Sequence, residues 1–209
     1  MTNTSIGHFV GRAAPLMIDH IDTDQIIPSR EIKSVGRSGL SEGLFAGWRY
    51  LASENRTPDP QFVLNKDGFS EADVLIAGRN FGCGSSREHA VWALKEFGIR
   101  AIVAMSFGEI FFDNCVRNGV LPIMLDALAV AEIADRAGRD PRNDITIDLP
   151  SQHVAMGDTV SRFEIGAYAK RLLQEGLDPI DLTLKDLDKI DAYERKDRAE
   201  RPWIYGATV

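Results

Sequence analysis

Val74-Leu75-Ile76-Ala77-Gly78-Arg79-Asn80-Phe81-Gly82-Cys83-Gly84-Ser85-Ser86-Arg87-Glu88-His89-Ala90 changes its character twice. Ala72 to Ala77 is a short apolar run, the pattern of a buried strand. From Ala90 the period becomes helical, with Ala90, Val91, Leu94 and Phe97 on one side and Gly98 placed as a stop. Between them lies a glycine-rich turn. Ser85-Ser86-Arg87-Glu88 fits a capping box with Ser85 at the N-cap. Such a turn gathers unpaired backbone N–H groups at the positive end of a helix dipole and can cradle an anion. Two hydroxyls and a guanidinium at its mouth suit a carboxylate, although serine at an N-cap is often only structural. Three phosphate and hydrolase patterns are excluded. The dinucleotide fingerprint lacks its third glycine, no Gly-Lys-Ser/Thr ends the turn, and there is no Gly-x-Ser-x-Gly elbow.

Downstream, Ala101–Met105 and Val120–Leu125 are two more buried-strand runs, separated by a helix that closes at Gly119. Ser106-Phe107-Gly108-Glu109 predicts a second capping box, and Asp126 a cap for a helix that Gly138 ends. Strand and helix in alternation predict a parallel α/β core. Asp144–Leu149 and Val160–Ile165 alternate cleanly and are expected to pair as a C-terminal β-hairpin. A short helix follows over 166–174, and Thr183 opens a last helix with Leu184, Leu187 and Ile190 on one face. Its mixed-charge end leads to Pro202-Trp203-Ile204-Tyr205, either a solvated helix end or an aromatic tail for a partner.

Upstream, Phe9 to Ile18 suggests an early strand, and Asp19, Asp22 and Asp24 crowd the turn after it. That turn lacks the glycine and terminal Glu of an EF-hand loop, so a capped turn explains it better than a metal site. Arg37 lies in a glycine-bearing loop, where an arginine is ordinarily solvated. Leu44, Phe45, Trp48 and Tyr50 are expected to pack that loop onto the body, and 53–68 reads as an excursion.

The chain of 209 residues is expected to form one domain, 1–209, with an active-site loop excursion around 30–70 and a helical tail around 183–209. A net charge of −7 is the wrong sign for a nucleic-acid surface, so no nucleic-acid partner is expected. No run is long enough for a membrane span and no signal peptide is visible. Cys83 and Cys115 form no disulfide framework or zinc spacing, and their use fits a reducing cytoplasm. Burial is expected for both, with Cys83 the more open to reaction.

Asn80-Phe81-Gly82-Cys83-Gly84-Ser85-Ser86-Arg87-Glu88-His89-Ala90 resembles the signature of the aconitase family's mobile swivel domain. Its Phe-Gly-Cys-Gly form is similar to the family's free-standing bacterial small subunits of the isopropylmalate type. Asp22-Thr23-Asp24-Gln25-Ile26-Ile27-Pro28 resembles a second family block. The resemblance implies a swivelling β/β/α domain and a hydro-lyase that removes water from a malate derivative and returns it at the neighbouring carbon. Isopropylmalate in leucine synthesis is the favoured substrate. Homoaconitate, citraconate/maleate and dimethylmalate remain rivals, as does a non-catalytic anion-binding or partner-docking module.

By the same resemblance Ser85 is the catalytic base, working as an alkoxide, while Arg37, Ser86 and Arg87 bind the substrate. Asp24, Gly82, Gly84 and His89 support them. His89 also stands as an alternative base, one helical turn beyond Ser85. The loop reads Ser38-Gly39-Leu40 where related small subunits tend to have Thr-Gly-Phe. The family's Lewis acid is a [4Fe–4S] cluster held by three cysteines. Two cannot hold it, so no cofactor is expected on this chain and the cluster belongs to a large-subunit partner in a heterodimer or higher hetero-oligomer. A helix end contributes at most ~2 kcal/mol and one pKa unit is worth about 1.4 kcal/mol. The end of a helix alone therefore lowers a serine pKa by only roughly 1.5 units. Ser85 is expected to be unremarkable in the isolated subunit and activated in the complex.

Overall fold

Residues 4–32, 36–52, 55–84 and 87–206 are described in this computed structural model. The chain starts with β1 (His8–Leu16), α1 (Thr23–Ile26), α2 (Ala46–Arg49) and a small hairpin of β2 (Tyr50–Ala52) and β3 (Thr57–Pro58). Next come β4 (Val74–Ala77), α3 (Glu88–Phe97), β5 (Ala101–Ala104), α4 (Glu109–Arg117), β6 (Leu121–Met124) and α5 (Ala127–Arg139). The last part holds β7 (Asp144–Asp148), β8 (His153–Met156), β9 (Thr159–Arg162), α6 (Ala167–Glu175), α7 (Pro179–Leu184) and α8 (Leu187–Glu200).

Seven strands form one sheet in the order β6-β5-β4-β1-β7-β8-β9. β1 is parallel to β4, with Ala13 opposite Val74, and antiparallel to β7, with Phe9 opposite Ile147. One side of β1 is therefore the strand–helix–strand core the apolar runs predict, and the other is an antiparallel meander. β4 carries no polar residue because both its faces are covered. Val74 and Ile76 enter a core with Val103, Ile123 and Ile133, while Leu75 and Ala77 enter another with Ile102, Leu94 and Phe111. Burying each large aliphatic side chain contributes about 1.5–3 kcal/mol. The segment between α1 and β4 is packed too, since Leu40, Leu44, Phe45 and Leu64 are buried in the second of these cores. Trp48 stacks on Phe45 with ring centroids 5.9 Å apart.

Four local expectations are corrected. α3 begins at Glu88 with extended Arg87 as its N-cap, so Ser85 is not the cap. Glu88 occupies the first helical position, and its carboxylate accepts from Asn118 Nδ2 at 2.8 Å instead of reaching back along the chain. Nor does Ser106 form a capping box, because its Oγ accepts from the Asn80 N–H and Gly108 is the N-cap of α4. The hairpin partner of β7 is β8, and β9 pairs with β8 across Gly157-Asp158. Thr183 closes α7 rather than opening the last helix, for Asp178 and Asp181 make the capping box of α7 and the chain restarts at Leu187. α8 is exposed except at Asp197 and the half-buried Ile190. Asp197 gathers Arg201 Nε at 2.6 Å and the Tyr205 hydroxyl, folding the aromatic tail back along the helix.

Candidate active site

The turn after β4 is held on both sides by backbone hydrogen bonds. Gly82 N–H donates to Ile21 O at 2.7 Å and Thr23 N–H to Cys83 O at 3.1 Å, while Phe81 N–H donates to Ser106 O at 3.0 Å. Gly82 has φ +73°, and a Cβ there would lie 2.1 Å from Cγ of the fully buried Phe111. Only glycine fits at that position. Gly84, at φ +88°, has Asp22 Cβ as its nearest neighbour at 3.5 Å. Cys83 is half-buried with Sγ 3.4 Å from His20 O, whereas Cys115 is fully buried in α4 and its thiol is pushed well up by desolvation. Ser85 and Ser86 lie outside the described residues.

The turn sets Arg87 against α1. Asp22 and Gln25 form a complete capping box at the start of α1, which explains one aspartate of the crowded segment as a cap. Asp24, on the first turn, then faces Arg87, with Oδ1 2.5 Å from Nη1. Ser29 completes the group: its Oγ donates to Asp24 Oδ1 at 3.0 Å and accepts from Arg87 Nη1 at 2.5 Å. Asp24 and Ser29 thus both contact Arg87 Nη1. No group of three or more His, Cys, Asp or Glu side chains is disposed for a metal among the described residues.

Arg87, His89 and Ser29 share an open groove of about 560 Å³ with Ile32, Glu88 and Trp92. The His89 ring is tilted against the Trp92 ring at 4.7 Å between centroids. Trp92 is fixed in turn by its Nε1–H, which donates to Asn118 Oδ1 at 2.9 Å. Arg37 is exposed, with its guanidinium carbon 4.9 Å above the Trp92 ring. It borders a larger groove of about 620 Å³ next to Asn118, Tyr168 and Pro179. The smaller groove holds Arg87 with its partner Ser29, and Arg87 follows the glycine turn closely in the chain, so it is the better candidate despite its size. Asp24, Arg87 and His89 are brought together, and Arg37 is parked next door on the shared Trp92 wall. Ser29, Trp92 and Asn118 are not among the residues that the sequence singles out. A tryptophan at the half-exposed edge of α3 is the one available signal among them.

The model for the aconitase C-terminal domain matches residues 4–128, and that for the C-terminal domain of the 3-isopropylmalate dehydratase small subunit matches 180–207. The chain is 56% identical to the 3-isopropylmalate dehydratase small subunit of Cupriavidus necator, over 93% of this chain and 95% of that one. It belongs to the family of 3-isopropylmalate dehydratase small subunits. The family member from Sinorhizobium fredii is 47% identical over 92% of this chain and 96% of its own length. The crystal structure of 3-isopropylmalate dehydratase from Methanocaldococcus jannaschii superposes with a TM-score of 0.67 at 29% identity, covering 88% of this chain and 99% of that one. The aconitase-type model thus ends at the start of α5, and the family's own C-terminal model covers α7, α8 and the aromatic tail.

Proposed function

We propose that this chain is the small subunit of a two-chain hydro-lyase that interconverts 2-isopropylmalate and 3-isopropylmalate through dehydration and rehydration in leucine biosynthesis. The observation that carries the reading is the 56% identity to a named small subunit over nearly the whole of both chains. The Asp24–Ser29–Arg87 group at the mouth of the glycine turn supports it, as a built anchor for a carboxylate.

Dehydration of a malate derivative needs a base for the C–H, clamps for the carboxylates and an acid for the departing hydroxyl. Arg87 and Arg37 are the proposed clamps. Arg87 is pre-aligned by Asp24 and Ser29, so less ordering is required of it when a carboxylate arrives. Ser85 is the proposed base, receiving the proton at Oγ, with Ser86 beside it on the substrate. The two cysteines of this chain do not fit an iron–sulfur cluster, since Cys115 is sealed in α4 and Cys83 stands in the turn. The [4Fe–4S] cluster, which would grip the hydroxyl, is assigned in this reading to a large-subunit partner, and the pair works in the cytoplasm. No helix is long and apolar enough to cross a membrane among the described residues.

The test is anaerobic co-expression with the large subunit, following alkene absorbance from isopropylmalate, citramalate and homocitrate-type substrates. Turnover of isopropylmalate that is lost in Ser85→Ala supports the reading. Preference for another diacid, or no turnover of any, overturns it.

A further inference from the structure

Three consecutive backbone N–H groups converge on one carboxylate near the end of α3. Gly39 N–H donates to Glu96 Oε1 at 2.6 Å, and Leu40 and Ser41 N–H donate to Oε2 at 2.5 Å and 2.8 Å. Gly39 makes this possible: its φ of +78° is left-handed, and the turn aims successive N–H groups to one side. The far side of the same turn is secured by Arg49 Nη1, which donates to Ser41 O at 2.9 Å, and by Leu40, which is buried in the core. Glu96 lies in the last turn of α3, where the helix dipole disfavours a carboxylate. Burial also works against its charge, yet the three N–H donors together outweigh burial and hold its pKa below the ordinary value.

The register along α3 gives the tether a purpose. Trp92 is one helical turn before Glu96, on the same face, and Glu88 one turn before that. The loop runs beside the helix in the same sense, with Arg37 over Trp92 and 39–41 at Glu96. A shift of this loop along α3 would carry Arg37 off the wall that it shares with the Arg87 groove. We infer that Glu96 is a positioning residue that sets the register of the Arg37 loop on α3 and so places the second carboxylate clamp. The inference rests on the reading of Arg37 as that clamp. Glu96 itself touches no substrate.

The test uses the assembled two-subunit enzyme with 3-isopropylmalate. Glu96→Gln and Glu96→Ala should raise KM about tenfold, the scale expected when one or two hydrogen bonds to a charged group are lost, with a smaller fall in kcat. Glu96→Asp should recover most of the loss. In an Arg37→Ala background the Glu96 changes should add no further rise in KM, whereas a merely structural defect would add its full effect. Amide exchange at Gly39, Leu40 and Ser41 should speed up in Glu96→Gln, a readout that needs no turnover. Unchanged exchange, or additive KM effects, overturns the inference and leaves the function standing. An Arg37→Ala enzyme with wild-type KM overturns the clamp reading and the inference with it.

Discussion

Asp24 and Arg87 meet across 63 positions of sequence, Oδ1 to Nη1 at 2.5 Å, with Ser29 Oγ bonded to both. The pair joins the first turn of α1 to the N-cap of α3 at the mouth of the glycine turn. Its position gives it more weight in orientation than in stability.

Asp24→Asn separates those two contributions. The side chains are 53% and 33% exposed, so the ion pair is screened and its loss should cost less than about 1 kcal/mol in a thermal or urea melt. Freed from its partner, Arg87 should lose its alignment, and kcat/KM of the assembled enzyme should fall by about tenfold or more. A large drop in stability with unchanged kinetics would reverse the assignment.

Gly82→Ala and Gly84→Ala should differ sharply in urea denaturation of the subunit. At Gly82 the added methyl meets the buried Phe111 ring in a left-handed backbone, and the loss should be at least ~2 kcal/mol. At Gly84 only backbone strain applies, about 1 kcal/mol, because the nearest neighbour stands at contact distance.

Acid should loosen the Arg37 loop. The folded pKa of Glu96 is lowered from 4.5 by its three backbone donors, against the opposing pull of burial. The stabilisation it supplies is therefore complete above about pH 4.5 and fades as pH falls through the lower folded value. Exchange at Gly39–Ser41, corrected for intrinsic rates, should accelerate only on that acid side and stay flat between about pH 6 and 8.

Thiol alkylation should count one cysteine in the native subunit and two after unfolding. Cys83 is half-buried in the turn, while desolvation keeps Cys115 protonated inside α4. Two fast-reacting thiols in the folded chain would contradict the packing of α4.

A serine-directed reagent should modify Ser85 far more slowly in the lone subunit than in the assembled enzyme. A helix end lowers the pKa of a hydroxyl by only roughly 1.5 units, and α3 starts three residues beyond Ser85. Equal rates in the two forms would show that the chain activates its serine unaided.

The parallel half of the sheet is legible in the sequence because Val74–Ala77, Ala101–Ala104 and Leu121–Met124 are apolar on both faces, as covered strands must be. The start of α3 is misleading because Ser-Ser-Arg-Glu fits a cap locally, while Gly84 and extended Arg87 delay the helix. β8 escapes notice because its four residues, His153–Met156, alternate too briefly to stand apart from the turns around them. Arg87 can be named from the signature, but its hold on Asp24 and Ser29 is a long-range contact that no local pattern encodes. Glu96 leaves one physical trace in sequence, an acidic residue at the helix end where acids are disfavoured.

The place of β1 also governs how the molecule comes to exist. β1 is flanked on one side by β4 and on the other by β7, whose last residue, Asp148, pairs with His8. The emerging polypeptide must therefore keep β1 without its second neighbour until β7 has left the ribosome. Such distant pairing slows folding and leaves an apolar strand edge exposed to other chains meanwhile. Production at low temperature or with chaperones should accordingly improve soluble yield more than any change to the exposed helix α8.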